Sequence, residues 1–239
     1  MKILQKKINI LFITACTLTI QFDLKSQIPE PYLYYDFDDE SGTTNVIDSS
    51  GKDRNGTVIG NIVFGEEGAP NSSTPNSGAA FSLGGTGHIN VVGSDAPTDF
   101  GNRDQGISAS YTMACWIKPD ASSFTGDRFI FGQGSQGIHH GFRNGSIYHA
   151  HWGSDFSGQS VLNADEWAHL TFTYDSEAGR GAIYVNGKFD AEMPAQQGPN
   201  GGGSLIIGGR NGGGQNFVGL IDDLAIWQAV LEEDQIKAL

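Results

Sequence analysis

The chain has 239 residues, a formal net charge of −13, 34 glycines and two cysteines. A surface this acidic repels nucleic-acid phosphates and anionic lipid headgroups, which excludes those partners, but it accepts neutral sugars and attracts divalent cations. Cys16 and Cys115 are the only cysteines, and Cys16 falls in a leader, so no intrachain disulfide is expected and stability must come from a sizeable core or a metal.

The chain opens on that leader. Lys2, Lys6 and Lys7 precede an apolar run from Ile8 to Ile20, and a polar stretch follows to Ser26-Gln27. Basic, then apolar, then small and polar is the order of a secretory signal peptide, assigned here to residues 1–27. The apolar run, about 13 residues, is too short to span a bilayer, and no transmembrane segment is expected further on. Ile13-Thr14-Ala15-Cys16 resembles a bacterial lipobox, but apolar residues continue past it at Leu18, Ile20 and Phe22, which favours cleavage near Ser26 or Gln27 over acylation of Cys16. Cleavage after Gln27 removes Lys2, Lys6, Lys7, Lys25 and Asp23, so −13 becomes −16. The expectation is a secreted or cell-surface protein with one domain over 28–239.

Within that domain, short apolar-alternating runs are separated by glycine-rich turns, the pattern of many strands. Strands are expected at Tyr32–Phe37, Thr57–Ile59, Ala79–Leu83, His88–Val92, Tyr111–Ile117, Phe129–Phe131, Ile138–Phe142 and Ile147–Trp152. Further strands are expected at Trp167–Tyr174, Ala182–Val185, Ser204–Ile207 and Phe217–Trp227. Asn144-Gly145 and Asn186-Gly187 sit between such runs; both residues of a two-residue hairpin turn take positive φ, which Asn and Gly tolerate. One helix is expected, over Glu232–Leu239, with acids at its N-terminal end where the helix dipole favours them. A dozen strands and one short helix imply an all-β, two-sheet antiparallel sandwich. In Tyr111–Ile117 the odd positions are the large or apolar ones, which makes Cys115 a small buried hydrophobe.

The order of motifs along the chain resembles the bacterial laminin-G-like, concanavalin A-like domains. Tyr34-Tyr35-Asp36-Phe37-Asp38-Asp39-Glu40-Ser41-Gly42 is similar to their opening strand and turn, and Asp48 to Val58 to the loop and strand that follow. Gly78 to Ile89, Tyr111 to Pro119, Trp167 to Asp175, Ile183 to Lys188 and Gly219-Leu220-Ile221-Asp222-Asp223 to Trp227 resemble later strands. The resemblance implies a jelly-roll sandwich. It also implies a structural calcium held between the early acidic loop and the Gly-x-x-Asp near the end, with Asp38 and Asp222 as leading ligands. Calcium takes six to eight hard oxygens, and the Gly51–Gly56 loop could add carbonyls and Asp53. Many such domains carry an acidic pair before the fourth strand, where this chain has Gly87-His88.

The stretch from Gly137 to Trp152 holds four of the six histidines, interleaved with aromatics. With Asn144-Gly145 as a two-residue turn, Arg143 faces Ser146, Phe142 faces Ile147 and His140 faces His149, and cross-strand partners share a face. One face then carries Ile138, His140, Phe142, Ile147, His149 and His151. It reads either as a zinc or copper site or as a partly buried face of hydrogen-bonded histidines. The second reading is favoured, because residues two apart on a strand sit roughly 7 Å apart, awkward for a tight tetrahedral site. The other face carries His139, Arg143, Tyr148 and Trp152. Flat rings pack on sugar faces while Arg and His donate to hydroxyls or carboxylates. Similar domains show a His, an Arg and a Trp-Gly-x-Asp in this hairpin, which Asp155 completes. The alternative is that the aromatics are ordinary sheet packing and Arg143 pairs with Asp155.

No interior strand carries the paired carboxylates of a glycosidase. His139, Arg143 and Tyr148 are the residue types a polyuronate lyase uses, to neutralise the acid and move a proton, but the acidic surface repels such a substrate. The leading expectation is a non-catalytic module binding a polysaccharide or glycan, with an adhesive domain for a surface or matrix protein as the second and a lyase as the third.

Overall fold

In strand β7 (Tyr111–Pro119), Tyr111, Met113, Cys115 and Ile117 enter the main core, while Ala114 packs on the opposite side of the sheet. That period of two, repeated strand after strand, splits the molecule into an interior between two sheets and two outer faces. The structure is a computed structural model describing residues 27–39, 42–70, 80–93, 99–103, 106, 108–134, 137–210 and 215–239. The leader, Cys16 and Glu40 lie outside the described residues.

The first sheet runs β14 (Lys188–Met193), β13 (Arg180–Val185), β12 (Ala168–Asp175), β7, β16 (Val218–Trp227), β5 (Ala80–Gly84) and β4 (Ile62–Glu66), and β1 (Leu33–Tyr35) also pairs with β16. The second runs β11 (Asp155–Ser157), β10 (Ser146–Ala150), β9 (His139–Arg143), β8 (Asp127–Gly134), β15 (Gly202–Ile207), β6 (His88–Val91), β3 (Gly56–Ile59) and β2 (Asn45–Val46). Every pairing within these two sheets is antiparallel. Between them lie Tyr35, Phe37, Phe131, Phe142 and Phe172, all with essentially no exposure. Burying each such ring stabilises the fold by roughly 1.5–3 kcal/mol.

The expected sandwich is present, and its differences from the expected elements are at edges. Strand β14 fully buries only Ala191, so it lacks the apolar alternation that marks a half-buried strand. The strands β2 and β11 are two and three residues long. Strand β10 ends at Ala150, short of Trp152, because Trp152 takes φ 44° and turns the chain. The C-terminal helix α1 covers only Glu233–Ile236. The Gln235 side chain caps it by accepting the Glu232 N–H at 2.8 Å. Around it, Leu231 and Ile236 pack with Ala114, Tyr184, Ala225 and Trp227 into a second cluster on the outer face of the first sheet.

Candidate functional site

The β9–β10 hairpin forms as its turn chemistry requires. Asn144 and Gly145 take φ 49° and 84°, the left-handed values of a two-residue hairpin turn. The register pairs Arg143 with Ser146, Phe142 with Ile147 and Gly141 with Tyr148. Side chains therefore alternate between the core and the outer face of the second sheet.

On the outer face, Arg143 binds Asp127 of β8 through two parallel bonds, Nε to Oδ1 at 2.8 Å and Nη2 to Oδ2 at 2.9 Å. Its third nitrogen donates to the Tyr148 hydroxyl, and its guanidinium lies 4.0 Å from the centroid of the Tyr148 ring. Tyr148 Oη donates to Asp155 Oδ2 at 2.7 Å, and Asp155 Oδ1 accepts the His151 N–H at 3.1 Å. Arg143 thus pairs with Asp127, sixteen residues upstream, and Asp155 with Tyr148. The hydrogen bonds to Asp127 hold Arg143 above its ordinary pKa, and burial followed by Asp155 pushes the Tyr148 phenol up. A phenol so shifted is a poor base at neutral pH, which runs against proton abstraction there.

His139 is buried; its Nδ1–H donates to Gly137 O at 2.8 Å, which leaves Nε2 as an acceptor. Burial holds its imidazole below the usual histidine range. Its ring lies 6.1 Å from that of Trp152, edge to face. Trp152 itself is 49% exposed. A bulky residue at positive φ is a backbone outlier, and such strain persists where the surroundings fix it. The four residues therefore meet as expected, but His139 and Tyr148 lie beneath the surface and Trp152 is the group presented to solvent.

The inner face resolves the three-histidine question by hydrogen bonding. His140, His149 and His151 are fully buried, and one potential ligand atom from each lies within 4.8 Å of the others. All six ring nitrogens already have protein partners. The Ala150 N–H donates to His140 Nδ1 at 3.2 Å, so His140 Nε2–H donates to Tyr111 Oη at 2.9 Å. The Tyr111 hydroxyl then donates to His151 Nε2, and His151 Nδ1–H donates to Gln197 O at 2.9 Å. His149 accepts from Gln196 at 3.0 Å and donates to Thr173 O at 3.0 Å. These directions assign every tautomer as neutral with no lone pair left over for a metal. Burial, then mutual repulsion for His140 and His149, lowers all three pKa values, His151 to about 3.

The acidic region lies where the chain ends meet, since β1 pairs with β16 at Leu33↔Ile226 through Tyr35↔Leu224. Asp222 is 1% exposed and accepts from Ala69 N at 2.8 Å and Asp223 N at 2.8 Å. Burial, then the charges of Asp223 and Asp38, push its carboxyl up to about 6. Asp39 is also raised, by burial and by Asp36 and Asp38, and its Oδ2 is buried without a hydrogen-bond partner. Asp53 is exposed in a left-handed turn of the neighbouring loop. That loop is organised by Asp48, which accepts from Tyr34 N at 3.1 Å, Ser50 N at 3.0 Å and Arg54 N at 3.0 Å. Asp39 and Asp48 are thus the acids whose roles the sequence alone did not single out; neither position carries a local signal beyond its charge.

Two eight-stranded antiparallel sheets closed face to face define a jelly-roll β-sandwich. The chain belongs to the concanavalin A-like lectin/glucanases superfamily, whose laminin-G-type model matches residues 83–237. It is 27% identical over 106 residues to the sushi, von Willebrand factor type A, EGF and pentraxin domain-containing protein 1 of Rattus norvegicus, covering 40% of this chain and 3% of that protein. The chain therefore spans a small fraction of that relative's length. Among solved structures, it is similar to domain 4 of an extracellular arabinanase from Geobacillus stearothermophilus in complex with arabinotriose. That match has a TM-score of 0.63 and 22% identity, and covers 87% of this chain and 97% of that one. It is also similar to the ligand binding domain of botulinum neurotoxin serotype D in complex with N-acetylneuraminic acid, with a TM-score of 0.56, 17% identity, and 87% and 50% covered.

Proposed function

We propose that this protein is a secreted or cell-surface carbohydrate-binding module that takes a glycan against Trp152 and carries a structural calcium at the junction of its chain ends. The observation behind the first part is Trp152: a half-exposed indole on a left-handed backbone, set beside His139 and a locked Arg143–Tyr148–Asp155 network. An aromatic face packs on the apolar face of a sugar ring, and a rigid surround spares the entropy of fixing it on binding. The oligosaccharide and sialic acid in the two similar domains support the reading, and arabinotriose is the first ligand to try. No helix among the described residues is long and apolar enough to cross a membrane.

The test is a glycan array in calcium buffer with the wild-type chain and Trp152→Ala. Retention on at least one neutral glycan is expected, weakened about tenfold by the substitution, the size of a lost stacking contact. Retention on none would refute the reading.

The calcium proposal is supported by Asp39 and Asp222, whose carboxyls burial and then, among others, the charge of Asp38 push up, and by the partnerless Asp39 Oδ2. A hard cation relieves such crowding. Asp38, Asp39 and Asp222 would hold it, with Asp53 on the adjoining loop. Melting with and without EGTA checks this: calcium should raise the midpoint, and an unchanged midpoint would remove the ion from the account.

A further inference from the structure

Gly132 of β8 lies in register with His139 of β9, and cross-strand partners share a face, so both positions belong to the outer face of the second sheet. With no side chain at Gly132, the backbone that follows β15 crosses directly over it. A Cβ there would lie 2.0 Å from Gly209 O and 3.1 Å from Arg210 Cα. The crossing is pinned at its base, where Gly208 N–H donates to Ile130 O at 2.7 Å and Gly208 O accepts the Phe217 N–H at 3.2 Å. Arg210 is thereby set beside His139, close enough for its charge to act on that imidazole.

Two arginines therefore act on His139, and they differ in what else they bind. Arg143 is committed to Asp127 and to Tyr148. Arg210 makes no hydrogen bond and no ion pair among the described residues, so its five N–H donors are left to water or to a ligand. His139 supplies the opposite character. With its Nδ1–H given to Gly137 O at 2.8 Å, Nε2 carries only a lone pair. That nitrogen has no hydrogen-bond partner among the described residues and is not one of the atoms sealed from solvent. It is an acceptor at the floor of a site whose wall is Trp152, the two rings lying 6.1 Å apart.

We infer that Arg210 and His139 together read a vicinal diol on the sugar that stacks on Trp152: one hydroxyl donates to His139 Nε2, and its neighbour accepts from the Arg210 guanidinium. The inference rests on the carbohydrate-binding reading and names the class of sugar, a neutral ring with adjacent free hydroxyls. A hydroxyl both donates and accepts, so an adjacent pair satisfies an acceptor-only group and a donor-only group at once. A carboxylate would set its oxygens against the Nε2 lone pair and would gain no second cation, because Asp127 already neutralises Arg143. An aliphatic ligand would take water from both polar groups and return nothing. The pinned backbone at Gly208 limits what binding must order to the Arg210 side chain.

The experiment is calorimetric titration of the full chain with arabinotriose, xylotriose, cellotriose and trigalacturonate, for wild type, Arg210→Met, Arg210→Lys and Trp152→Ala. Arg210→Met keeps the length of the side chain and removes its donors, and should weaken the neutral sugars about tenfold. Arg210→Lys, which keeps a donating head, should lose less, and trigalacturonate should bind no more tightly than the neutral sugars. The wild-type imidazole ¹⁵N spectrum reads the other half of the pair: the His139 Nε2 resonance should move as a neutral sugar saturates, and a resonance that stays in place in the sugar-bound protein would overturn the inference. Unchanged affinity in Arg210→Met, with Trp152→Ala still weakening binding, would overturn it too and leave the carbohydrate reading standing. A preference for trigalacturonate that Arg210→Met abolishes would make Arg210 a carboxylate reader and sink the diol. If the wild-type chain binds none of the four sugars, the carbohydrate reading falls and this inference with it.

Discussion

Across the β9–β10 hairpin, His140, His149 and His151 face the core with every ring nitrogen engaged, whereas His139, Arg143, Tyr148 and Trp152 face outward and end in a half-exposed indole. The two sets interleave along the same strands, so composition does not distinguish them. The pleat does: a shift of one residue would exchange the faces. Inside, a low dielectric makes an unpaired polar group costly, and the outcome is a closed relay from the Ala150 N–H through His140, Tyr111 and His151 to Gln197 O. Outside, water tolerates unpaired groups, so the Asp127–Arg143–Tyr148–Asp155 chain can act as scaffolding and leave Trp152 for a ligand.

The largest expected effect breaks the inner relay. Tyr111→Phe removes the one hydroxyl between His140 and His151 and strands two buried ring nitrogens, which should lower stability by about 2–4 kcal/mol in urea denaturation. A loss under about 0.5 kcal/mol would mean that the network is not structural. Acid should do the same work gradually. The buried histidines have folded pKa values below their ordinary 6.5, His151 about 3 and His169 about 4. Between those values the unfolded chain binds more protons than the folded one. Stability is therefore complete above about pH 6.5 and declines as pH falls towards 3–4, by about 1.4 kcal/mol per pH unit for each histidine involved. Denaturation midpoints from pH 7 to 4 measure that slope, and a flat profile would contradict it.

The outer face should respond more weakly. Arg143→Ala breaks a pair whose side chains are 38% and 22% exposed, so solvent screening limits the stability loss to about 1 kcal/mol. Glycan affinity should fall with it, because Tyr148 loses the guanidinium that holds it. Trp152→Ala should change stability by no more than about 0.5 kcal/mol while costing about tenfold in affinity. A large stability loss at Trp152 would recast it as a packing residue.

Much of this architecture was legible in the sequence. Alternation at Tyr111–Ile117 placed Cys115 in the core, and two Asn-Gly pairs fixed hairpin turns whose register assigned both faces of β9 and β10 correctly. What escaped was either short or distant. Strands β2, β4, β11 and β14 are short or largely exposed, so they bury too little to leave a periodic signal. The partners Asp127, Tyr111, Gln196 and Gln197 reach the hairpin from other strands and loops, and only the sheet order brings them there.

The four tryptophans make the central claim directly measurable, since each contributes its own indole N–H resonance. Trp152 is assigned by the signal missing from Trp152→Ala, and the ¹⁵N-labelled protein is titrated with arabinotriose and other neutral trisaccharides. The account predicts a saturable shift of the Trp152 indole resonance with at least one of these sugars. A Trp152 resonance that stays in place throughout, in a folded protein, would contradict it.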